Sequence, residues 1–186
     1  MTFIESETIE LKSSVVADLC KEVIAFANTR GGTLYIGVED NGTVIGVDSA
    51  DRVTLQINNM VRDSIKPDIT MFVHYETQVI NDKQIIAVTV QEGTDRPYYL
   101  GSKGLKPSGV YVRNGTSTDP ASDTAIRKMI KETDGDSFET MRSLEQNLSF
   151  QAAEAQFAKR KVPYDAAKMQ TLGMVSSDDI YSNVAL

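Results

Sequence analysis

One cysteine, Cys20, and one histidine, His74, are all that the 186 residues hold of the two residue types most used to bind zinc. A zinc site is therefore excluded as an expectation. Cys20 also has no partner for an internal disulfide, and with no export signal the chain reads as a protein of the reducing cytoplasm. Nucleophilic catalysis by a Ser-His-Asp or Cys-His set is disfavoured. His74 falls on an expected strand, far in sequence from Cys20, and nothing places a nucleophile beside it. No apolar run approaches the length of a membrane span, the longest being short strands such as QIIAVTV at 84–90. The first residues, MTFIESETIELK, lack a basic stretch followed by an apolar one, so no signal peptide is read. Internal repeats and low-complexity tracts are absent as well.

What is present is an ordinary globular composition, 41% hydrophobic and 24% charged, long enough for one good core and a small appendage. The net charge of −7 hides an asymmetry. Residues 1–95 carry seven basic and fifteen acidic side chains, a net of −8. Residues 96–131 carry seven basic and two acidic, a net of +5, and residues 132–186 five and nine, a net of −4. The basic middle segment suits a phosphate-facing surface, or is a set of charges scattered over a solvated face.

Hydrophobic spacing sets out the elements. TIELKS at 8–13 alternates, with Ile9 and Leu11 on one side and Glu10 and Lys12 on the other, a half-buried strand. Residues 15–28 show a helical stripe of Val16, Leu19, Cys20, Val23 and Ala27, and Gly31-Gly32 follows where a left-handed cap is wanted. A strand is expected at 34–38. Asp40-Asn41-Gly42 then signals a turn with positive φ at both central residues, and 44–47 returns. A second helix is expected at 52–65, stopped by Lys66-Pro67-Asp68. Strands at 70–80 and 84–90 form a hairpin across Asn81-Asp82-Lys83. A Gly/Pro/Lys loop at 96–109 holds a short strand, 98–100. Another strand spans 110–113, turns at Asn114-Gly115, and a helix follows at 122–131. TDGDSF at 133–138 reads as a linker, after which 150–161 and 165–172 are helices and 178–186 begins another element. This order predicts an α+β fold: a mixed β-sheet built from hairpins with packed helices, plus a C-terminal helical extension. Residues 1–132 are expected as one domain, and 133–186 as a connecting segment that starts a further domain.

FANTRGGTLYIGVEDNG, at 26–42, invites a phosphate-loop reading. Gly32 and Gly37 have the GxxxxG skeleton, but Val38-Glu39 stand where Lys-Ser/Thr is needed. The order is also helix, glycines, strand. That puts the glycines at a helix C-terminus, whose dipole repels an anion. No nucleotide site is supported. The acids nearby are Glu5, Glu7, Glu10, Glu39 and Asp40. Two or three carboxylates converging at the ends of the first two strands would hold magnesium or manganese and activate water on a phosphodiester. Glu5 and Glu10 fall on opposite faces of a regular strand, so both reach one metal only if the chain bends before Thr8. Read from the residues alone, Glu10 and Lys12 are neighbours on a solvent face and Asp40 starts a turn.

Three blocks in order, ESETIELKSS, AFANTRGGTLYIGVEDNG and GVYVRNGTSTDPAS, resemble the Schlafen/AlbA-type nucleic-acid-binding domain over about residues 3–132. The rest resembles the connecting region of bacterial members, often described as transcriptional regulators or helicase-related proteins, which continue into further domains. The resemblance implies a nucleic-acid role. Some eukaryotic relatives are metal-dependent ribonucleases that use two glutamates of the first strand and an acid after Gly-Val. The matching positions are Glu5, Glu10 and Asp40, which would be both metal ligands and catalytic groups, with Mg or Mn as the cofactor. Lys12 matches the family lysine. Bacterial members have also been called divergent ATPases, which the glycine order does not support.

Three functions compete. The first is a nucleic-acid-binding module of a bacterial transcriptional regulator. It would bind DNA or RNA through Lys12, Arg30, Arg96, Lys103, Lys106 and Arg113. Tyr98 and Tyr99 could stack on bases, whereas packing is the favoured role for Tyr111. The second is a divalent-metal-dependent nuclease using Glu5, Glu10 and Asp40. The third is a non-enzymatic scaffold, a homo-oligomer joined through half-exposed strand edges. The first is favoured, and no membrane partner is expected.

Overall fold

The computed structural model describes residues 3–134 and 141–185, so most of the linker read at 133–138, and Leu186 of the last element, lie outside the described residues. The chain divides into two compact units, Met1–Ile130 and Lys131–Leu186.

The first unit is organised by a four-stranded sheet of β1 (Ile9–Lys12), β2 (Gly32–Ile36), β4 (Val73–Ile80) and β5 (Lys83–Val90), in the order β1-β2-β5-β4. β1 runs parallel to β2 with Glu10 opposite Leu34, and the other neighbours are antiparallel. One face of the sheet carries α1 (Leu19–Ala27) and α2 (Ala50–Ser64). Leu34, Ile36, Ile86 and Val88 from the strands pack there with Leu19, Val23 and Phe26 of α1 and Ile57 and Val61 of α2. The opposite face has a smaller core of Phe3, Leu11, Val38 and Ile85. Two short ribbons complete the unit: β3 (Ile65–Lys66) with β6 (Tyr99–Leu100), and β7 (Tyr111–Asn114) with β8 (Ser117–Pro120). Val110 and Ala121 flank the second ribbon and pack on Ile126 and Met129 of α3 (Asp123–Thr133).

The expected helices form with their ends adjusted. Ser49 caps α2, its hydroxyl accepting from Arg52 N–H, so α2 starts earlier than the apolar stripe suggested. Val16 lies outside α1 and is exposed, whereas Ala25 and Phe26 are buried, because α1 is enclosed on nearly every side. Gly31 is a left-handed cap with φ of +74°, its N–H bonded to Phe26 O at 2.9 Å. Gly32 belongs to β2 rather than to the cap. A Cβ there would lie 2.4 Å from the Phe26 ring and 2.8 Å from Thr8 O, so glycine lets β2 pass close to helix and strand together.

Two turn expectations change. At 39–42 only Gly42 has positive φ, and Asn41 instead accepts Thr43 N–H on its side chain. The return at 44–47 is a single bridge, Val38 to Val44. The doubly positive turn falls at Asn81 and Asp82, with φ of 51° and 61°, between β4 and β5. β8 was not expected; TSTDP carries no apolar alternation to announce it.

In the second unit, α4 (Gln151–Lys159) and α5 (Ala166–Thr171) lie where helices were expected. Phe150, Phe157, Tyr164 and Tyr181 gather by their rings, Phe157 and Tyr164 at 4.8 Å between centroids. No helix among the described residues is long and apolar enough to cross a membrane.

Candidate nucleic-acid interface

The structure distributes the nine candidate residues over four places. The first is interior. Glu10 points from β1 to the helix face of the sheet, not to solvent, and is 6% exposed. Its Oε2 accepts from Arg113 Nη1 at 2.9 Å and its Oε1 pairs with Lys12. The Arg113 side chain is fully buried, so the expected phosphate contact is an internal strut instead. Arg113 Nη1 also reaches Glu22 Oε2 at 3.2 Å and Thr118 Oγ1 at 3.0 Å, and Nη2 donates to Ser6 O at 2.8 Å. Its guanidinium carbon lies 4.9 Å from the centre of the Phe26 ring. One arginine thus joins β1, α1, β7 and β8.

Formal charge in this cluster is balanced, two carboxylates against two cations, which is what makes burial tolerable. Burial pushes the Glu22 carboxyl up, opposed by its hydrogen bond from Thr118. Burial alone would lower the Lys12 ammonium, but the hydrogen bond and charge of Glu10, helped by Glu22 and Glu5, leave it raised. Glu22 and Thr118 carry no motif that marks them in the sequence. The helical position of Glu22 next to the apolar stripe was the available signal.

The second place is the C-terminal end of α1. Arg30 is well exposed and lies 3.8 Å from Glu7; Arg96 is 2.8 Å from Glu92. Gly93 N–H donates to Ala27 O, bringing the 92–96 segment to this end. Asn28 closes the end from inside: its Nδ2 donates to Tyr98 O and Tyr111 O at 2.9 and 3.0 Å, and its Oδ1 accepts Tyr98 N–H at 2.7 Å. Tyr98 is fully buried and cannot stack on a base, and Tyr111 is buried too, whereas Tyr99 is half-buried.

The third place is the loop 101–109. Backbone bonds of 2.8–3.1 Å run from Lys103 and Gly104 to Leu100 O, from Lys106 to Gly104 O, and from Gly109 and Val110 to Lys106 O. This is an ordered loop, and it holds Lys103 and Lys106 exposed. Gly101 N–H donates to Ser64 O at 2.8 Å, which sets the loop beside exposed Lys66 of β3. Tyr111 Oη donates to Ser108 O on the other flank, and Lys21 Nζ stands 5.8 Å from the centre of the Tyr111 ring. Lys66 and Lys21 were not singled out in the sequence because they lie outside the basic segment.

The fourth place concerns the remaining acids. The chain does bend before Thr8: Ser6 N–H donates to Ile9 O at 2.9 Å, and Glu5 Oε1 accepts Leu11 N–H at 3.4 Å. Asp40 is exposed at an open cleft with Ser13, Glu39 and Asn41. Among the described residues no three acidic, histidine or cysteine side chains are grouped closely enough to hold a metal ion.

No curated protein matches the chain. The DIP2311 protein from Corynebacterium diphtheriae superposes with a TM-score of 0.52 at 16% identity, covering 95% of this chain and 34% of that one, and shares the fold. The chain thus spans about a third of that protein's length. The N-terminal domain of a RecG-related protein from Nitrosomonas europaea aligns at 29% identity and a TM-score of 0.47, covering 61% of this chain and 82% of that one. The family model described as Schlafen, AlbA_2 matches residues 5–122, more than half of the sequence. The chain belongs to the Schlafen/AlbA_2 family of nucleic-acid-related domains.

Proposed function

We propose that the first unit is a nucleic-acid-binding module of a bacterial transcriptional regulator. The observation that carries the reading is the ordered loop 101–109, which presents Lys103 and Lys106 to solvent beside Lys66. Exposed cations fixed by a backbone that is already hydrogen-bonded meet phosphates with little further ordering. Tyr99 lies at the base of the loop and is half-buried, and its exposed part is the aromatic surface offered to a base. Arg30 and Arg96 supply a second, weaker region, each beside a glutamate. Lys12 and Arg113 hold the scaffold together rather than touch the ligand. Residues 1–132 would act as the binding domain and 133–186 as the segment leading to a further domain. Fluorescence anisotropy of labelled DNA and RNA across a salt series, for the wild type and Lys103→Ala/Lys106→Ala, tests the reading.

One observation favours a second reading, a Mg2+- or Mn2+-dependent nuclease. The bend at Ser6–Ile9 brings Glu5 back beside β1, which a shared site with Glu10 requires. As placed, Glu10 spends both oxygens on Lys12 and Arg113, so a metal would have to displace one of them. Calorimetric titration with Mn2+, using Glu10→Gln as the control, decides it. Saturable heat lost in the variant supports the metal site, and no heat in either protein opposes it.

A further inference from the structure

The two edges of the main sheet are treated differently. At the β1 edge Leu11 N–H is taken by Glu5, and Ile9 O by the N–H of Ser6. At the β4 edge nothing comparable occurs. The two-residue turn at Asn81-Asp82 makes Ile80 and Lys83 a hydrogen-bonded pair, so Gln78, Glu76 and His74 also aim their backbone groups at β5. The bond from Gln91 N–H to Phe72 O continues the same parity. Tyr75, Thr77 and Val79 therefore aim theirs outward, and among the described residues no strand or side chain meets them. β4 is eight residues long, VHYETQVI, and has no proline and no lysine, the usual guards of an edge.

We infer that β4 pairs antiparallel with β4 of a second copy of this chain, about a two-fold axis at Tyr75. One feature of the strand selects this register. It sets His74 opposite the second copy's Glu76, and Glu76 opposite its His74, a complementary imidazole–carboxylate pair on each side of the axis. Glu76 Oε2 accepts from Gln78, which leaves Oε1 to meet the imidazole. An axis at Thr77 would leave His74 facing Ile80, and one at Glu76 would set two carboxylates against each other. The result is one continuous eight-stranded sheet across two copies. It does not depend on the nucleic-acid reading.

Sedimentation equilibrium of the 186-residue chain tests the pairing. The wild type is expected to dimerise. His74→Glu opposes two carboxylates at both symmetric positions and should weaken the dimer by about tenfold. The double variant His74→Glu/Glu76→His exchanges the partners and should bring the constant back to within about threefold of wild type. Thr77→Pro, which removes an outward N–H that β5 does not use, should weaken the dimer by a similar factor and keeps the test open if a variant at position 74 unfolds by circular dichroism. A wild type that stays monomeric overturns the inference and leaves the edge to another partner. So does a dimer indifferent to both single changes, or one that the charge exchange fails to restore.

Discussion

Arg113 Nη1 and Glu10 Oε2 meet at 2.9 Å across 103 positions of sequence, and neither side chain is reached appreciably by solvent. The pair ties the β7–β8 ribbon to the edge strand of the main sheet, and through Glu22 to α1. It is the joint on which the placement of the later segments rests.

Removing one partner of a buried pair is worse than never having it, since the other charge is stranded. Arg113→Ala should lower stability by about 3–5 kcal/mol, read from chemical denaturation. Arg113→Lys keeps the charge but loses the fork, so it should fall between wild type and alanine. A loss below about 1 kcal/mol for alanine would mean the cluster is structurally idle.

Glu22 gives this cluster a pH signature. Its carboxyl titrates above its ordinary value of 4.5 because it is buried. A group that binds its proton more tightly when folded stabilises fully at low pH, and that contribution fades as pH rises through its folded value. Glu22→Gln should remove this fade. The difference in melting temperature between wild type and variant should therefore shift, against wild type, as pH rises from below 4.5 towards neutrality. Lys12 acts at the other extreme. Raised above 10.5, it contributes up to that pH and loses its contribution only beyond it.

Asn28 donates twice to carbonyls and accepts once from an amide, all buried. Asn28→Ala should cost about 2–4 kcal/mol by leaving these backbone groups unpaired. Asn28→Asp should cost more, because a carboxylate then faces two carbonyl oxygens. Denaturation curves of the two variants would rank them, and an aspartate as stable as wild type would contradict the assignment.

The fit at Gly32 is equally direct. Gly32→Ala forces a methyl into the Phe26 ring and Thr8 O and should cost about 1–3 kcal/mol. Gly115→Ala meets nothing within 4 Å and carries only the penalty of φ at +60°, about 1 kcal/mol. Thermal melts that reverse this order would show that Phe26 can move aside.

What the sequence displayed were the local periodicities. The stripe of Leu19, Cys20 and Val23, the alternation of TIELKS and the hairpin at 81–82 lead to α1, β1 and β4–β5. What it could not display is which face of a strand another element will cover. Glu10 alternates with Ile9 and Leu11 as a solvent-facing residue would, yet α1 and the β7–β8 ribbon roof that face. Arg113 read as a surface cation for the same reason: its partners lie about a hundred positions upstream. Tyr98 sat among lysines in the sequence and became core, because Asn28 holds its backbone inward. Lys103 and Lys106 are where a Gly/Pro/Lys loop suggested, at the surface, while Lys66 joined them only through β3 pairing with β6.

The salt dependence of nucleic-acid binding tests the central claim most directly. Anisotropy with a labelled single strand and a labelled duplex should give affinities that fall steeply with salt. Lys103→Ala/Lys106→Ala should reduce the slope of log K against log salt by about 2 without lowering the melting temperature. Affinity independent of salt, or a slope unchanged in the double variant, would contradict a phosphate-binding loop at 101–109.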